Sequence, residues 1–114
     1  MVHIIAAMYK LIVFVPENAK EGLKEALFSA GAGGQGAYQH CAWECLGTGQ
    51  FLPLDGAAPA IGSVGTLERV SEWRIEMLVP ASRWPDVKAA LYQAHPYESP
   101  AFDLIALADS GADD

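Results

Sequence analysis

Apolar residues recur along this chain with two different periods. They return every three to four positions within residues 19–30 and 84–94, which predicts two amphipathic helices. Shorter apolar or alternating stretches predict four strands, over residues 9–15, 38–46, 67–79 and 101–107. Residues 50–54 are a candidate for one further short strand. The main elements therefore follow in the order βαββαβ.

Both predicted helices carry signals at their ends. Asn18, with Glu21 three residues later, resembles a capping box and predicts the start of the first helix, and Gly31 predicts its end. Ser82 is the predicted N-cap of the second helix. Pro96 ends that helix, because the residue before a proline is disfavoured in the helical conformation.

An internal repeat supports this order. Residues 13–31 and 77–95 match at a constant offset, and the identical pairs include Val15 with Val79 and Pro16 with Pro80. Each copy reads as a strand, a proline and a helix, and a duplicated unit of this kind builds a β-α-β, β-α-β domain. Chance similarity between two amphipathic helices is the alternative explanation.

The fold predicted from these elements is an α+β domain, a ferredoxin-like βαββαβ sandwich with an antiparallel sheet and two helices on one face. Residues 9–15 are apolar on both sides, as in a central strand. In the third strand one side is apolar and the other charged: Trp73, Ile75, Met77 and Val79 oppose Glu72, Arg74 and Glu76. Since the second face of the sheet needs cover, we expect another subunit to supply it.

Length and charge narrow the class of protein. The 114 residues fit a single domain over residues 8–108, with a lead-in at 1–7 and a disordered acidic tail at 109–114. Met1 and Met8 are alternative start residues. The net charge of −7 and the scattered basic residues argue against nucleic acid and against membrane surfaces. Only Cys41 and Cys45 are present, which indicates a cytoplasmic protein with reduced thiols.

Residues 95–100, His-Pro-Tyr-Glu-Ser-Pro, resemble a motif of the CutA family that precedes a strand. A closer resemblance covers residues 8–107 and is to the short standalone YqfO-like proteins, which correspond to the domain inserted in the larger NIF-three-like proteins. Its matching stretches are residues 8–16 (MYKLIVFVP), 24–33 (KEALFSAGAG), 36–51 (GAYQHCAWECLGTGQF), 62–76 and 95–103 (HPYESPAFD).

The resemblance implies a CutA-like fold, which the PII signalling proteins share, and a homotrimer. CutA proteins are linked to tolerance of divalent metals, and PII proteins bind small anionic effectors and act through protein contacts. The YqfO-like domain brings no agreed activity. Two departures stand out: the surroundings of Trp43 differ from the aromatic-rich CutA strand, and the long basic loop of PII proteins is not evident.

A divalent metal site is the sharpest chemical hypothesis, with His40, His95 and Glu98 as ligands near a subunit junction. On a regular strand Cys41 and Cys45 would lie about 13 Å apart, too far to share a zinc ion or a disulfide. His40 and Cys41 would point to opposite faces of that strand. The alternative is that both cysteines are small buried residues.

Three further segments have competing interpretations. The 95–100 turn is either a stiff corner that fixes the last strand, with Glu98 accepting backbone N–H groups within the turn, or a ligand corner. Residues 31–36, GAGGQG, follow a helix, so they predict a turn and not a phosphate loop. Residues 47–65 form a long Gly- and Pro-rich loop, and loops of this length are often interaction surfaces.

Three functions are therefore considered. The favoured one is a non-enzymatic trimeric binding or regulatory module, which takes a small ligand or a protein partner at subunit clefts and at the 47–65 loop. The alternative is a CutA-type divalent metal-binding protein that uses His40, His95 and Glu98. An enzyme with its site at the subunit junctions ranks last, because no Ser-His-Asp, Cys-His or paired-carboxylate arrangement is evident.

Overall fold

The computed structural model describes residues 7–109 of the chain. Its elements follow in the order β1 (Met8–Val15), α1 (Glu17–Ser29), β2 (Trp43–Phe51), β3 (Glu68–Pro80), a 3-10 turn (Ala81–Arg83), α2 (Trp84–Ala94) and β4 (Phe102–Leu107). The predicted order βαββαβ is confirmed. The predicted lead-in and acidic tail lie outside the described residues, except for Ala7 and Asp109.

The four strands form one sheet in the order β2-β3-β1-β4, and every neighbouring pair is antiparallel. Val13 in β1 lies opposite Ile75 in β3 and opposite Phe102 in β4. Met8 lies opposite Leu107, so the two ends of the domain are side by side. The antiparallel sheet of the predicted ferredoxin-like fold is thus confirmed.

The core lies between one face of the sheet and the two helices. It is built from the odd-numbered residues of the two central strands and from the apolar stripe of each helix. Each such side chain contributes about 1.5–3 kcal/mol when it is fully buried. The largest fully buried members are Leu11, Val13, Val15, Leu23, Leu27, Ile75, Val79, Val87 and Leu91.

The opposite side of the sheet, here called the open face, carries the even-numbered residues of β1 and β3 and the residues paired with them. One row of this face crosses all four strands and consists of Trp43, Glu76, Ile12 and Asp103. Trp43 is 56% exposed, and Ile105 in β4 is 45% exposed. The face therefore mixes apolar and charged side chains, as the alternation in the third strand predicted.

The predicted helix N-caps are wrong. The first helix begins at Glu17 with Pro16 as its extended N-cap residue, so Asn18 lies inside the first turn. Ser82 lies in the 3-10 turn before α2, and neither helix has a side-chain hydrogen bond at its N-cap. In both copies of the repeat the shared proline makes the turn: φ is −70° at Pro16 and −59° at Pro80.

The predicted C-terminal signals are confirmed. Gly31 follows α1 with a φ of +118° and donates its N–H to the carbonyl oxygen of Phe28. His95 is extended, with ψ at 135°, immediately before Pro96. Glycine at position 31 is required because a side chain there would be strained and would meet the guanidinium of Arg83.

The second strand lies further along the chain than predicted. It starts five residues after the predicted start at position 38 and ends five residues after the predicted end at position 46. Residues 31–42 turn instead, with a bridge between Gln35 and Tyr38 and a positive φ of 57° at His40. Gly47 and Gly49 are paired because the 13-residue β3 offers them a full antiparallel partner. The long loop is therefore shorter than predicted. Of the candidate strand at 50–54, residues 50 and 51 are the end of β2 and the other three lie in the loop.

Between residues 7 and 109, neither helix has the length and apolar character needed to cross a membrane.

Candidate functional site

His95 is buried between the end of β1 and the turn after α2. Its Nε2 lies 2.7 Å from the carbonyl oxygen of Phe14, and its Nδ1 accepts a hydrogen bond from the N–H of Tyr97 at 3.2 Å. A backbone N–H can only donate, so Nδ1 is the acceptor and the neutral ring with its proton on Nε2 satisfies both contacts. Burial lowers the pKa of His95, and the Phe14 carbonyl opposes this effect.

Glu98 ties the turn after α2 to the loop that follows β2. Its Oε1 accepts a hydrogen bond from the N–H of Ala58 at 3.0 Å. Glu98 was predicted to accept backbone N–H groups of its own turn, but the donor that the structure shows belongs to the distant loop.

His40 lies elsewhere, in the turns between α1 and β2. Its ring stacks on that of Phe28, with the centroids 4.7 Å apart and the planes 5° from parallel. The prediction that His40 and Cys41 point to opposite faces assumed that both lie on a strand. That assumption is wrong, because β2 begins only at Trp43. What holds His40 is the aromatic contact and its left-handed backbone.

The three predicted metal ligands thus have separate roles within one chain. Among residues 7–109 no group of three or more His, Cys, Asp or Glu side chains is placed to hold a metal ion. His95 would have to release Phe14 or Tyr97 before it offered a nitrogen to a metal. A site that His40, His95 and Glu98 share across subunits stays a prediction.

The two cysteines are free thiols in different settings. Cys41 is half-buried before β2, and its backbone N–H donates to the carbonyl oxygen of Gly33 at 2.8 Å. Cys45 is exposed on the open face, opposite Arg74. The expectation that both are buried is therefore wrong for Cys45, and the two do not share one strand.

A shallow depression of about 360 Å³ lies on the open face. Its lining includes aromatic, thiol and charged side chains: Phe14, Trp43, Cys45, Glu72, Arg74 and Glu76. Arg74 bonds Glu76 at 3.0 Å, and Lys10 pairs with the same carboxylate at 3.5 Å. These ion pairs lie beside exposed apolar surface, which includes Trp43.

A second cavity, of about 270 Å³, lies between the loop after β2 and the turn after α2. We call it the loop cavity. Glu72, Tyr97 and Glu98 are its titratable lining residues, and burial raises the pKa of Glu72. The Tyr97 hydroxyl is buried and has no hydrogen-bond partner. Burial raises the pKa of Tyr97, and the negative charge of Glu72 adds to the rise.

Sequence reasoning did not single out Glu72 or Tyr97 as site residues. Glu72 was assigned to the charged side of the third strand, and Tyr97 was part of the predicted corner. One signal was available: Gly49 lies where a side chain would collide with the Glu72 carboxylate. Such a contact depends on strand register, and the predicted second strand ended before Gly49.

The known proteins that this chain resembles in sequence are longer than it is. No family model matches it. It is 54% identical over 102 residues to the GTP cyclohydrolase 1 type 2 homolog of Mycobacterium tuberculosis and 45% identical over 104 residues to that of Bacillus subtilis. These matches cover 90% and 91% of the chain but only 27% and 28% of the relatives, so the chain spans about a quarter of their length.

Solved structures agree in fold. A Bacillus cereus protein related to NIF3 matches with a TM-score of 0.84 and 41% identity, over 96% of this chain and 28% of that one. The periplasmic divalent cation tolerance protein CutA of Archaeoglobus fulgidus matches with a TM-score of 0.64 and 13% identity, over 90% and 86% of the two chains. The chain is therefore homologous to one segment of the NIF3-related GTP cyclohydrolase 1 type 2 homologs, and it has the fold of the CutA proteins.

Proposed function

We propose that this chain is a homotrimeric, non-enzymatic binding or regulatory module, in which the open face of the sheet is covered by neighbouring subunits. The observation that supports it most directly is the composition of that face. Trp43 and Ile105 are large apolar residues about half exposed, on a sheet whose other face is already filled by two helices. The resemblance to CutA proteins, which implies a trimer, supports the same assembly.

The edge of the sheet supports assembly as well. β2 is an outer strand, so one side of its backbone has no neighbour within the sheet. An exposed edge without Lys or Pro is a ready template for pairing with another chain. The 360 Å³ depression lies beside this edge, and a second subunit would turn it into a cleft.

The loop after β2 supports a role in binding. Leu54 and Val64 are large apolar residues that it exposes to solvent. Glu98, in the turn after α2, holds the loop at Ala58. A long loop fixed by a scaffold in this way is a common site for a ligand or a protein partner. A cytoplasmic location, expected from the two cysteines, stays a prediction.

Light scattering on gel-filtered protein tests the assembly. The expected mass is about three times the 12.2 kDa of one chain. Ile105→Glu places a charge on the open face and should lower the mass toward that of one chain. Val64→Glu is the matched control, because Val64 has the same 45% exposure but lies in the loop. A monomeric parent protein, or equal loss of mass in both variants, would contradict the proposal.

A further inference from the structure

The loop cavity is bounded by the end of β2 with the loop that follows it, by Glu72 on β3, and by the turn after α2. The end of β2 forms one wall, the loop that follows forms the roof, and the turn after α2 forms the other wall. Two hydrogen bonds fix the roof: Ala58 donates to Glu98 at 3.0 Å, and Gly65 donates to Pro53 at 2.8 Å. All of the residues that line the cavity thus belong to one chain.

Glu72 is held in a defined position at this cavity. It lies on β3 opposite Gly47, and its carboxylate extends over Gly49, which is two residues further along β2. A methyl group at position 49 would collide with that carboxylate, whereas one at position 47 would meet nothing within 4 Å. The glycine at 49 therefore provides the space that the Glu72 carboxylate occupies.

Tyr97, in the turn after α2, lines the loop cavity together with Glu72. Its backbone donates to His95, and its ring lies 5.0 Å from the His95 imidazole. The Tyr97 hydroxyl is nonetheless buried without a partner, and leaving such a group unpaired costs about 1–3 kcal/mol. Burial raises the pKa of both acids, and for Tyr97 the negative charge of Glu72 adds to the rise.

The remaining lining defines what fits between these groups. Apart from Tyr97 and the two glutamates, its polar side chains are Gln50 and Ser99. The other lining residues are apolar: Phe51, Leu52, Pro53, Ala57, Pro59, Ala60, Ile61 and Ala101. None of these lining residues is a lysine or an arginine. An anion would meet the carboxylates of Glu72 and Glu98, so the charge of the site favours a cation.

We propose that the loop cavity binds a small organic amine, whose ammonium group donates to the Glu72 carboxylate and whose apolar body packs against the loop. Tyr97 stands beside this contact, where its oxygen can accept a second N–H and its hydroxyl can donate to Glu72. A volume of about 270 Å³ lies just below the range of about 300–1,000 Å³ of typical ligand pockets, so the ligand is small. This inference rests on the proposed binding function, but not on the trimer.

Titration with benzylamine, followed by amide NMR shifts, tests the proposal. The resonances of Leu52, Ala57 and Ser99 should shift at millimolar amine, and benzyl alcohol and benzoate should bind at least about tenfold more weakly. Glu72→Gln should weaken benzylamine binding about tenfold or more, since a hydrogen bond to a charged group is lost. Glu25→Gln removes the same charge from the exposed side of α1 and should leave the binding unchanged.

A pair of glycine variants tests the geometry without removing a charge. Gly49→Ala should displace the Glu72 carboxylate and weaken benzylamine about as much as Glu72→Gln, whereas Gly47→Ala should not. The mass of each variant is measured in the same buffer, so that loss of assembly and loss of binding are scored separately. Equal binding of benzyl alcohol, no shifts at millimolar amine, or full binding by Glu72→Gln would overturn the amine site while leaving the trimer proposal intact.

Discussion

The Nε2 atom of His95 lies 2.7 Å from the carbonyl oxygen of Phe14, although 81 residues separate them along the chain. This contact joins the residue that follows α2 to the end of β1. With Nδ1 bonded to the N–H of Tyr97, the imidazole is a fixed joint between the second half of the repeat and the first. The sequence-based interpretation of this turn as a stiff corner agrees with that geometry.

The buried imidazole predicts a decline of stability in mild acid. Because burial lowers the pKa of His95 in the folded chain, the unfolded chain takes up the proton first as the pH falls. The free energy of unfolding should be constant with respect to this group above about pH 6.5, the ordinary histidine value, and should fall below it. Urea unfolding at several pH values between 5 and 8 measures the slope.

His95→Gln should remove this part of the slope and lower stability at neutral pH. Each of the two backbone partners left unpaired costs about 1–3 kcal/mol. His40→Gln is the matched control, since it removes an exposed histidine and leaves His95 in place, so the decline should persist. An unchanged slope in His95→Gln would show that the decline has another origin.

The periodic elements were predictable because burial repeats with the period of each element. Val13 and Ile75 face the helices, and Glu76 faces away, as the alternation indicated. The helix N-caps were missed because a proline makes each turn, so the polar residue two positions after it resembled a cap without acting as one. The Val-Pro pair that both repeat copies share was the better signal for the helix start.

The candidate site was less predictable, for a physical reason. The contacts of Glu72 and Glu98 join segments whose separation depends on strand register and on the path of the loop. Neither quantity leaves a periodic trace in the sequence. The periodic elements, the repeat and the resemblance to the NIF-three-like segment together predicted the fold, whereas the contacts of Tyr97 and His95 depend on how the turn after α2 folds back on β1.

The turn after α1 predicts a sharp difference between two neighbouring glycines. Gly33 has a φ of +83°, and a methyl group there would lie 2.6 Å from the Phe28 ring. Gly33→Ala should cost about 1–2 kcal/mol in backbone strain alone, with a further loss because Phe28 must move. Gly34→Ala meets nothing within 4 Å and should cost less than about 0.5 kcal/mol. Thermal unfolding of the two variants compares them, and equal melting temperatures would show that the turn adapts freely.

The metal hypothesis predicts a measurable ion in untagged protein. If His40, His95 and Glu98 form a site between subunits, the gel-filtered protein should contain about one divalent ion per chain or per trimer. His40→Ala should remove it, and chelator treatment should do the same. Elemental analysis beside the light-scattering mass makes the measurement. A trimer free of metal would rule out this site and leave the binding module as the function.

The ion pairs between α1 and β2 predict a second acid effect, at lower pH than that of His95. Glu44 accepts hydrogen bonds from Lys20 at 2.5 Å and Lys24 at 2.7 Å, and these lower its pKa, with Lys20 the larger cause. A lowered folded pKa adds stability above the ordinary Glu value of about 4.3, and that stability is lost as the pH falls through the folded value. Glu44→Gln should therefore be less stable than the parent at neutral pH, and its stability should fall less steeply below about pH 4.3.

The dependence on salt concentration distinguishes the loss of the Glu44 charge from a change in packing. The difference between Glu44→Gln and the parent should shrink as ionic strength rises, because these ion pairs are only part-buried and salt still screens them. Glu25 is an exposed residue of α1, the helix that carries Lys20 and Lys24. The stability of Glu25→Gln should lie close to that of the parent under all of these conditions. Unfolding by urea at pH 3.5 and pH 7, with low and high salt, gives the comparison. A deficit of Glu44→Gln that does not change with pH or salt would mean that the side chain acts by packing and not by its charge.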